Sequence, residues 1–213
     1  MKLSSLLKNK TLASGLPSFA YTDEEFWQME CATVLTDNWT FVGFAHELNK
    51  PGDVLPVLIA GKPVLLVKNI KEDIVAFHNV CRHRCLKLVD QPKNVGKIIR
   101  CPYHSWAYDL DGKLCASPLF GGTDKHQPPD FNPADYGLES VRIQVWHDWI
   151  FINLNDNAPP FEEYAAPLMK QLNDIKFDKF YPRNDISKNL GVNEDLNSGW
   201  SISFLSEYLE ESC

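Results

Sequence analysis

The sequence has no long apolar run, few cysteines and no excess of positive charge. No apolar stretch in its 213 residues approaches the ~20 residues that a membrane-spanning helix needs. The charged segment Met1–Lys10 lacks the apolar core of a secretory signal. Six cysteines are too few for a disulfide scaffold, and a net charge of −7 disfavours a nucleic-acid surface. We therefore expect a cytoplasmic protein with free thiols that binds neither membranes nor nucleic acids.

Apolar residues are nevertheless plentiful in this chain. Hydrophobic side chains make up 44% of the sequence and aromatic side chains 12%, which is enough for a packed core. The length suits one medium-sized domain, or one domain followed by the start of another. The acidic net charge suits a partner that carries a basic patch.

The first 37 residues predict an arm followed by a helix. Thr22–Glu25 has the sequence of a capping box, which opens a helix. Trp27, Cys31 and Val34 then recur at helical spacing and predict one apolar face. We expect the helix to end near Asp37.

Short β-type runs separated by turn residues fill the middle of the chain, and they predict an antiparallel, mainly β domain over residues 38–156. The last two runs flank His147-Asp148, a two-residue hairpin turn. Residues 118–133 are rich in Pro, Gly and Asp and predict a long loop. From residue 157 to 213 we expect a linker, a helix over Phe161–Ile175 and a second helix over Trp200–Glu211.

Two short motifs combine cysteine with histidine. Cys81-Arg-His83 follows one predicted strand, and Cys101-Pro-Tyr-His104 follows another. Each loop therefore presents one thiolate and one imidazole to the same point. This mixed set is what a Rieske [2Fe–2S] cluster requires, because one iron takes two cysteines and the other takes two histidines. Neutral imidazoles raise the reduction potential above that of all-cysteine clusters.

Two other interpretations of these motifs remain open on spacing alone. A Cys2His2 zinc site uses the same residue types, although zinc fingers usually pair Cys with Cys and His with His along the sequence. Two buried cysteines and two structural histidines could also occur together by chance. Both motifs, each in a loop after a strand, favour the iron–sulfur interpretation.

The chain resembles the N-terminal half of Rieske non-haem iron oxygenase α subunits, the ring-hydroxylating family. The resemblance is carried by Cys81–Arg84, by Cys101–Tyr108 and by Asp111–Leu114, and it covers roughly residues 20–155. It implies that a Rieske [2Fe–2S] cluster is bound by all four motif residues, which are Cys81, His83, Cys101 and His104. It also implies a ferredoxin or flavoprotein reductase as electron donor, and assembly into a homotrimer.

The resemblance weakens where a catalytic domain should begin. Family members hold a mononuclear Fe(II) with two histidines and a carboxylate. Trp200 and Glu210 resemble the entrance to that domain, but Cys213 stands where the first histidine belongs, and no histidine follows His147. We therefore expect a truncated start of a catalytic-type domain, with mononuclear iron present only if that domain is supplied separately.

Two functions follow from this pattern. The chain is either the electron-transfer component of a ring-hydroxylating oxygenase system, or a self-sufficient, ferredoxin-like electron carrier without oxygenase activity. Whether the chain itself is an enzyme stays open, and no catalytic residue is assigned.

Residues around the motifs have expected roles as well. Cys85 stands where many relatives have Gly, and we expect a small buried residue without a disulfide, since Tyr103 occupies the place of a second cysteine. The Ser105 hydroxyl either donates a hydrogen bond to a sulfur or stabilises its own turn. We expect Trp106 and Tyr108 to pack beneath the cluster and exclude water. Structural or surface roles are expected for the remaining histidines, which are His46, His78, His126 and His147.

Overall fold

The computed structural model describes residues 15–122, 127–128 and 130–175. The chain divides between Ala165 and Ala166 into two units. The helices are α1 (Phe19–Thr22), α2 (Glu24–Ala32), α3 (Val34–Asp37), α4 (Phe161–Tyr164) and, in the second unit, α5 (Ala166–Gln171); two 3-10 helices span Ala45–Glu47 and Pro133–Tyr136. The strands are β1 (Thr40–Phe44), β2 (Asp53–Ile59), β3 (Lys62–Lys68), β4 (Ile74–His78), β5 (Lys93–Asn94), β6 (Ile99–Arg100), β7 (Ala107–Tyr108), β8 (Leu114–Ala116), β9 (Ser140–Trp146) and β10 (Trp149–Asn153).

The strands form two antiparallel sheets. The larger sheet has the order β1-β10-β9-β4-β3-β2-β5, and the smaller has the order β6-β7-β8. The prediction of a mainly antiparallel β fold is therefore confirmed. The chain leaves the large sheet at the end of β4 and leaves the small sheet at the end of β6. Both candidate ligand motifs begin directly after these two strands.

The predicted hairpin turn between the last two strands is confirmed. Trp146 pairs with Trp149 across the turn, so only His147 and Asp148 lie between the paired residues. His147 has a φ of 55°, which is the left-handed conformation that a tight hairpin turn of this kind requires.

The polypeptide enters and leaves the large sheet at one point. Thr40 at the start of β1 pairs with Ile152 near the end of β10. Asn153 donates a hydrogen bond to the carbonyl of Asn38 at 2.9 Å. Arg142 donates to the carbonyl of Ala158 at 2.7 Å, and its guanidinium carbon lies 5.0 Å from the Trp39 ring centroid. Side-chain hydrogen bonds thus hold the two ends of the domain side by side.

The core has two hydrophobic clusters. One packs around Leu48 and Ile150 on the large sheet. The other lies beneath the ligand motifs, includes Cys81 and Cys101, and also contains Trp106. The candidate thiols therefore belong to the core and not to the surface.

The N-terminal helix begins one residue later than predicted. Thr22 belongs to α1, and Asp23 is the capping residue, whose carboxylate accepts a hydrogen bond from the backbone N–H of Phe26 at 2.8 Å. Asp23 has the extended conformation that a capping residue needs.

The predicted apolar face of this helix is wrong in two of its three positions. Trp27 is 47% exposed and Val34 is 53% exposed, whereas Cys31 and the unpredicted Phe26 are buried. The helical spacing fails at Val34 because α2 ends at Ala32 and Val34 begins the separate helix α3. Within α2, the buried residues are Phe26 and Cys31 and do not include Trp27.

The C-terminal helical prediction holds only in part. The segment expected as one helix contains α4, which ends at Tyr164, and α5, which begins at Ala166. Phe161 is buried, while Tyr164 is 43% exposed. The predicted helix over Trp200–Glu211 and the arm before residue 15 lie outside the described residues. Within the described part of the chain, no helix is both long enough and apolar enough to cross a membrane.

Candidate metal centre

Two loops of the same shape carry the four candidate ligands. We call residues 81–86 the first ligand loop and residues 101–106 the second. In each loop the backbone N–H of the cysteine donates to the carbonyl five positions later, at 2.8 Å, and the N–H of the fifth residue donates back to the cysteine carbonyl, at 3.0 and 3.1 Å. Each loop thus closes around its own cysteine, and the histidine occupies the third position in one loop and the fourth in the other.

The fifth position of each loop has a left-handed backbone. Cys85 has a φ of 54° and Ser105 has a φ of 60°, a conformation that glycine adopts without strain. The expectation that Cys85 is buried is wrong, because this side chain is exposed. Cys85 contributes its left-handed backbone to the turn, and its side chain lies outside the core.

The two cysteine side chains meet in the core. Cys81 is 1% exposed and Cys101 is 2% exposed. Burial raises the pKa of the Cys81 thiol, and the neighbouring Cys101 thiol raises this pKa further. A bound metal cation reverses this preference, because coordination deprotonates a thiol.

The two imidazole rings also meet. The ring centroids of His83 and His104 lie 4.6 Å apart. The Nδ1 atom of His83 is buried and has no hydrogen-bond partner among the described residues. Burial lowers the pKa of His83, and the charges of His104 and Arg84 lower it further. The His83 imidazole is therefore neutral at neutral pH, which is the form that ligates metals.

The donor set fits a two-iron cluster. Across residues 15–122, 127–128 and 130–175, no group of three or more His, Cys, Asp or Glu side chains is placed to hold one metal ion. Structural zinc needs four ligands at one point. A Rieske cluster needs only two protein ligands for each iron. Two buried thiols, two adjacent imidazoles and one buried nitrogen without a partner match the second requirement.

Tyr108 contacts the first cysteine directly. Its hydroxyl lies 3.4 Å from the Cys81 sulfur and accepts a hydrogen bond from the backbone N–H of Arg82 at 3.1 Å. Because the phenol oxygen accepts from Arg82, its own hydrogen is available to the sulfur. Burial, followed by the Cys81 contact, raises the pKa of Tyr108, so the phenol keeps this hydrogen. Sequence reasoning assigned Tyr108 a packing role only and missed this contact.

Asn79 closes the base of the first ligand loop. Its side chain is fully buried, and it donates to the carbonyl of Val89 at 2.7 Å. It also accepts from the backbone N–H groups of Leu88 and Val89. One side chain therefore joins the strand before the loop to the segment after it. The sequence contained this signal as a polar residue two positions before the cysteine.

Aromatic rings cover one side of His83. Its ring stacks on Trp106, with centroids 4.9 Å apart and planes at 4°. Phe120 makes an edge contact with both rings. Trp106 is also contacted by Phe131 of the long loop and by Tyr136 of the 3-10 helix that follows it. Trp106 is 1% exposed. These aromatic rings therefore exclude water on the core side of the ligand loops, as expected.

The other side of the histidine pair opens to the surface. A cavity of about 610 Å³ is lined by His83, His104, Arg84, Tyr103 and Leu119, among others. Both imidazoles are only partly buried. The histidine edge of the site is therefore accessible from the surface, whereas both thiols are buried in the core.

The remaining histidines have the structural or surface positions that were expected, as far as the structure describes them. The Nδ1 atom of His46 contacts the Asp148 carboxylate, His78 lies in β4 and His147 lies in the hairpin turn. His126 lies outside the described residues. Arg82 forms an ion pair with Glu139 at 2.7 Å.

Comparison with known proteins places this site in a family. The family model for the Rieske [2Fe-2S] domain matches residues 38–127. The glycine betaine monooxygenase oxygenase subunit of Pseudomonas aeruginosa (strain UCBPP-PA14) is 32% identical over 166 residues, which cover 78% of this chain and 37% of that protein. Benzene 1,2-dioxygenase subunit alpha of Pseudomonas putida is 29% identical over 146 residues, which cover 68% and 32% of the two chains.

Solved structures show the same fold. A mutant of naphthalene 1,2-dioxygenase bound to phenanthrene superposes with a TM-score of 0.65 at 29% identity and covers 73% of this chain and 34% of that one. The quaternary ammonium monooxygenase CntA in complex with gamma-butyrobetaine has a TM-score of 0.66 at 24% identity, covering 74% and 44%. The chain thus spans between about a third and somewhat less than half of the length of these curated and structural relatives.

Proposed function

Residues 38–127 of this chain are a Rieske [2Fe–2S] domain, and the chain is homologous to the α subunits of Rieske oxygenases; from this premise we propose that it carries single electrons toward a mononuclear iron oxygenase site. We propose Cys81, His83, Cys101 and His104 as the cluster ligands. We further propose residues 38–156 as the electron-transfer domain and residues 157–213 as the linker and start of a catalytic-type domain.

One observation supports the ligand assignment above all others. Two loops of the same backbone geometry bring two buried thiols and two imidazoles together, and a buried His83 nitrogen has no other partner among the described residues. When bound, a Rieske cluster supplies a one-electron couple at roughly −150 to +300 mV.

The residues around the site have separate roles in electron transfer. The neutral imidazoles bring no negative charge, and the Tyr108 hydroxyl donates toward the Cys81 sulfur. Trp106 keeps water from the core side. The partly exposed edges of His83 and His104 give electrons a route to the cavity.

The electron donor and the assembly are proposals as well. We propose a ferredoxin or flavoprotein reductase as donor and a homotrimer as the working form. Inter-subunit electron transfer is described for a quaternary ammonium Rieske monooxygenase, which supports this arrangement. The substrate is a different matter, because the matched segment covers about a third of the relatives and contains the electron-transfer domain. We infer only the reaction class, O₂-dependent hydroxylation at a separate iron.

Metal analysis combined with EPR spectroscopy tests the proposal. We expect about two irons and two sulfides per chain and a Rieske-type EPR signal after reduction. Replacing His83 or His104 by Ala should remove or derange that signal, because a ligand is lost. A colourless protein that contains zinc would refute the proposal.

A further inference from the structure

Two polar side chains beneath the second ligand loop are buried without a hydrogen-bond partner. Trp106 is 1% exposed and Ser117 is 3% exposed. The Nε1 atom of Trp106 and the Oγ atom of Ser117 are both enclosed, and neither has a partner among the residues that the structure describes. Buried polar groups are almost always paired, because burial removes their hydrogen bonds to water. Packing alone therefore does not explain why two such groups are buried here.

These two residues occupy opposed positions in the small sheet. Ala107 of β7 pairs with Ala116 of β8 in antiparallel register. Trp106 precedes Ala107 and Ser117 follows Ala116, and opposed residues of an antiparallel pair share one face of the sheet. The backbone N–H of Phe120 donates to the carbonyl of Ser117 at 3.4 Å, and the Phe120 ring centroid lies 5.0 Å from that of Trp106. Both unpaired groups therefore belong to one small region of the core.

The chemistry of these groups restricts what can join them. A direct hydrogen bond needs about 2.7–3.2 Å between donor and acceptor, and the structure has no bond between the two side chains. An indole N–H can only donate, so a bridging species must accept a hydrogen bond, which excludes a metal cation. The rings of His83, Phe120, Phe131 and Tyr136 surround the indole. An anion would be costly to bury against these rings, which leaves a neutral acceptor.

We infer that one buried water molecule joins the Trp106 indole to the Ser117 hydroxyl, and that this bridge holds the indole against the ring of His83. Buried waters characteristically satisfy polar groups that have no protein partner. The indole and imidazole rings are stacked, with centroids 4.9 Å apart and planes at 4°. Rotation of the indole about its side-chain bonds would end this stacking, and a hydrogen bond at Nε1 opposes that rotation.

Ser117 is thus a positioning residue that acts on a proposed cluster ligand through the water and Trp106. This effect on His83 rests on the proposed function, whereas the water bridge itself does not. A single bound water also differs from solvent access. The atoms that hold it are inaccessible to solvent, so the aromatic rings still keep bulk water from the core side of the ligand loops.

A high-resolution crystal structure of the cluster-loaded protein tests the bridge directly. We expect one ordered water at about 2.7–3.2 Å from both Nε1 of Trp106 and Oγ of Ser117. Ser117→Ala should lose or displace this water, because one of its two partners is removed. Ser117→Thr keeps the hydroxyl and should retain the water. A carbonyl bonded to Nε1, a direct bond between the two side chains, or no ordered water in the unmodified protein would overturn the inference.

Ultraviolet resonance Raman spectroscopy tests the same bond in solution. One indole band reports hydrogen bonding at the ring nitrogen, and Trp106→Phe identifies the contribution of Trp106 among the six tryptophans. In Ser117→Ala this contribution should move toward the frequency of an indole without a hydrogen bond, and Ser117→Thr should leave it in place. If Trp106→Phe does not fold, the difference between the unmodified protein and Ser117→Ala still measures the change.

Ser140→Ala is the control for both measurements, because Ser140 is an exposed serine at the start of β9. It should leave the water and the indole band unchanged. An indole band that is the same in Ser117→Ala as in the unmodified protein would contradict the bridge. A band that moves equally in Ser140→Ala would contradict it too, since the response would then not depend on Ser117.

Pulsed EPR of the reduced protein tests the positioning of His83. The nitrogen hyperfine couplings of ligand histidines depend on the orientation of their rings. Ser117→Ala should change the couplings of one histidine, whereas Ser117→Thr and Ser140→Ala should not. Unchanged couplings together with a shifted indole band would refute the positioning role. Absence of a cluster in the unmodified protein would refute the proposed function, and the crystallographic water and the indole band would still decide the bridge.

Discussion

At the scale of single residues, the most informative contact is between Tyr108 and Cys81. Buried polar groups need partners, and this phenol uses its oxygen for the Arg82 N–H and its hydrogen for the sulfur. A hydrogen bond to sulfur favours the more negative, reduced form of a cluster. We therefore expect the same side chain to contribute both to packing and to the reduction potential of the proposed cluster.

Replacing Tyr108 by Phe should lower the reduction potential. A bond that is worth ~1–2 kcal/mol more in the reduced state corresponds to roughly 40–90 mV for a one-electron couple. Tyr136→Phe is the control, because Tyr136 packs on Trp106 and also loses a phenol oxygen. Redox titration followed by EPR measures both variants. Equal potentials for Tyr108→Phe and the unmodified protein would show that the contact does not tune the cluster.

His78 should make the stability of the protein depend on pH. Burial lowers its pKa, Lys62 lowers it further, and Glu139 opposes the shift. Below about pH 6.5, the ordinary histidine pKa, the unfolded chain binds this proton more readily than the folded chain. The free energy of unfolding should therefore fall as the pH drops below 6.5.

A denaturant series at about pH 7.5 and about pH 5.5 measures this contribution. His78→Gln removes the titrating group, and its stability should change less between the two pH values. Cluster content must be the same in both proteins, so that a loss of the proposed cluster is not mistaken for an effect of His78. Parallel pH profiles for the two proteins would exclude His78 as the cause.

At the scale of elements, the shape of the two ligand loops is set by backbone conformation and hydrogen bonds. Each loop returns the chain through a left-handed residue at its fifth position. The first loop adds Asn79, whose three hydrogen bonds connect β4 to residues 88–89. The second loop is held between β6 and β7 of the small sheet.

Cys85→Val should destabilise the protein by about 1–2 kcal/mol, because a β-branched residue is strongly disfavoured at positive φ. Cys85→Gly should be tolerated. Cys115→Val is the matched control, since Cys115 is also exposed but lies in β8, where β-branched residues are favoured. Thermal unfolding compares the three variants. If Cys85→Val unfolds at the same temperature as Cys115→Val, the loop does not require this conformation.

Asn79→Ala should destabilise the first ligand loop and reduce cluster occupancy. It leaves the backbone N–H and the carbonyl of Val89 without their side-chain partner, at about 1–3 kcal/mol for each buried group. Asn94→Ala serves as a comparison, because Asn94 also holds a turn by side-chain hydrogen bonds but is exposed. Iron content and EPR intensity per chain are the measurements. Full occupancy in Asn79→Ala would show that the ligands position themselves without this side chain.

The sequence was a better guide to the loops than to the helices. The ligand motifs and the hairpin turn at His147 depend on neighbouring residues, and both were predicted. The Tyr108 contact joins residues 27 positions apart and depends on how the small sheet packs, which spacing does not encode. Val34 was misassigned because a break at Thr33 interrupts the helical period, and Trp27 was misassigned because the buried face of α2 contains Phe26 instead.

At the scale of the whole molecule, the chain is expected to hold two irons and to perform no hydroxylation by itself. An oxygenase iron needs two histidines and a carboxylate, and no histidine follows His147 in this sequence. The purified chain with a reductase and NADH should become reduced but should not incorporate ¹⁸O from ¹⁸O₂ into an aromatic test substrate. Addition of ferrous iron should not change this result. Labelled product from the 213-residue chain would contradict the prediction and require an iron site of another kind.

The pairing of β1 with β10 has a consequence for how such a domain can be combined with others. Thr40 and Ile152 are neighbours, and hydrogen bonds from Arg142 and Asn153 hold the two flanking segments together. The chain therefore enters and leaves the domain at one point. A gene can acquire, lose or exchange a domain of this kind without changing the chain path in the rest of the protein. A circular permutant would join the two ends of the domain directly and would begin at the exposed β2–β3 turn, around Gly61. Its ligand loops would be unchanged.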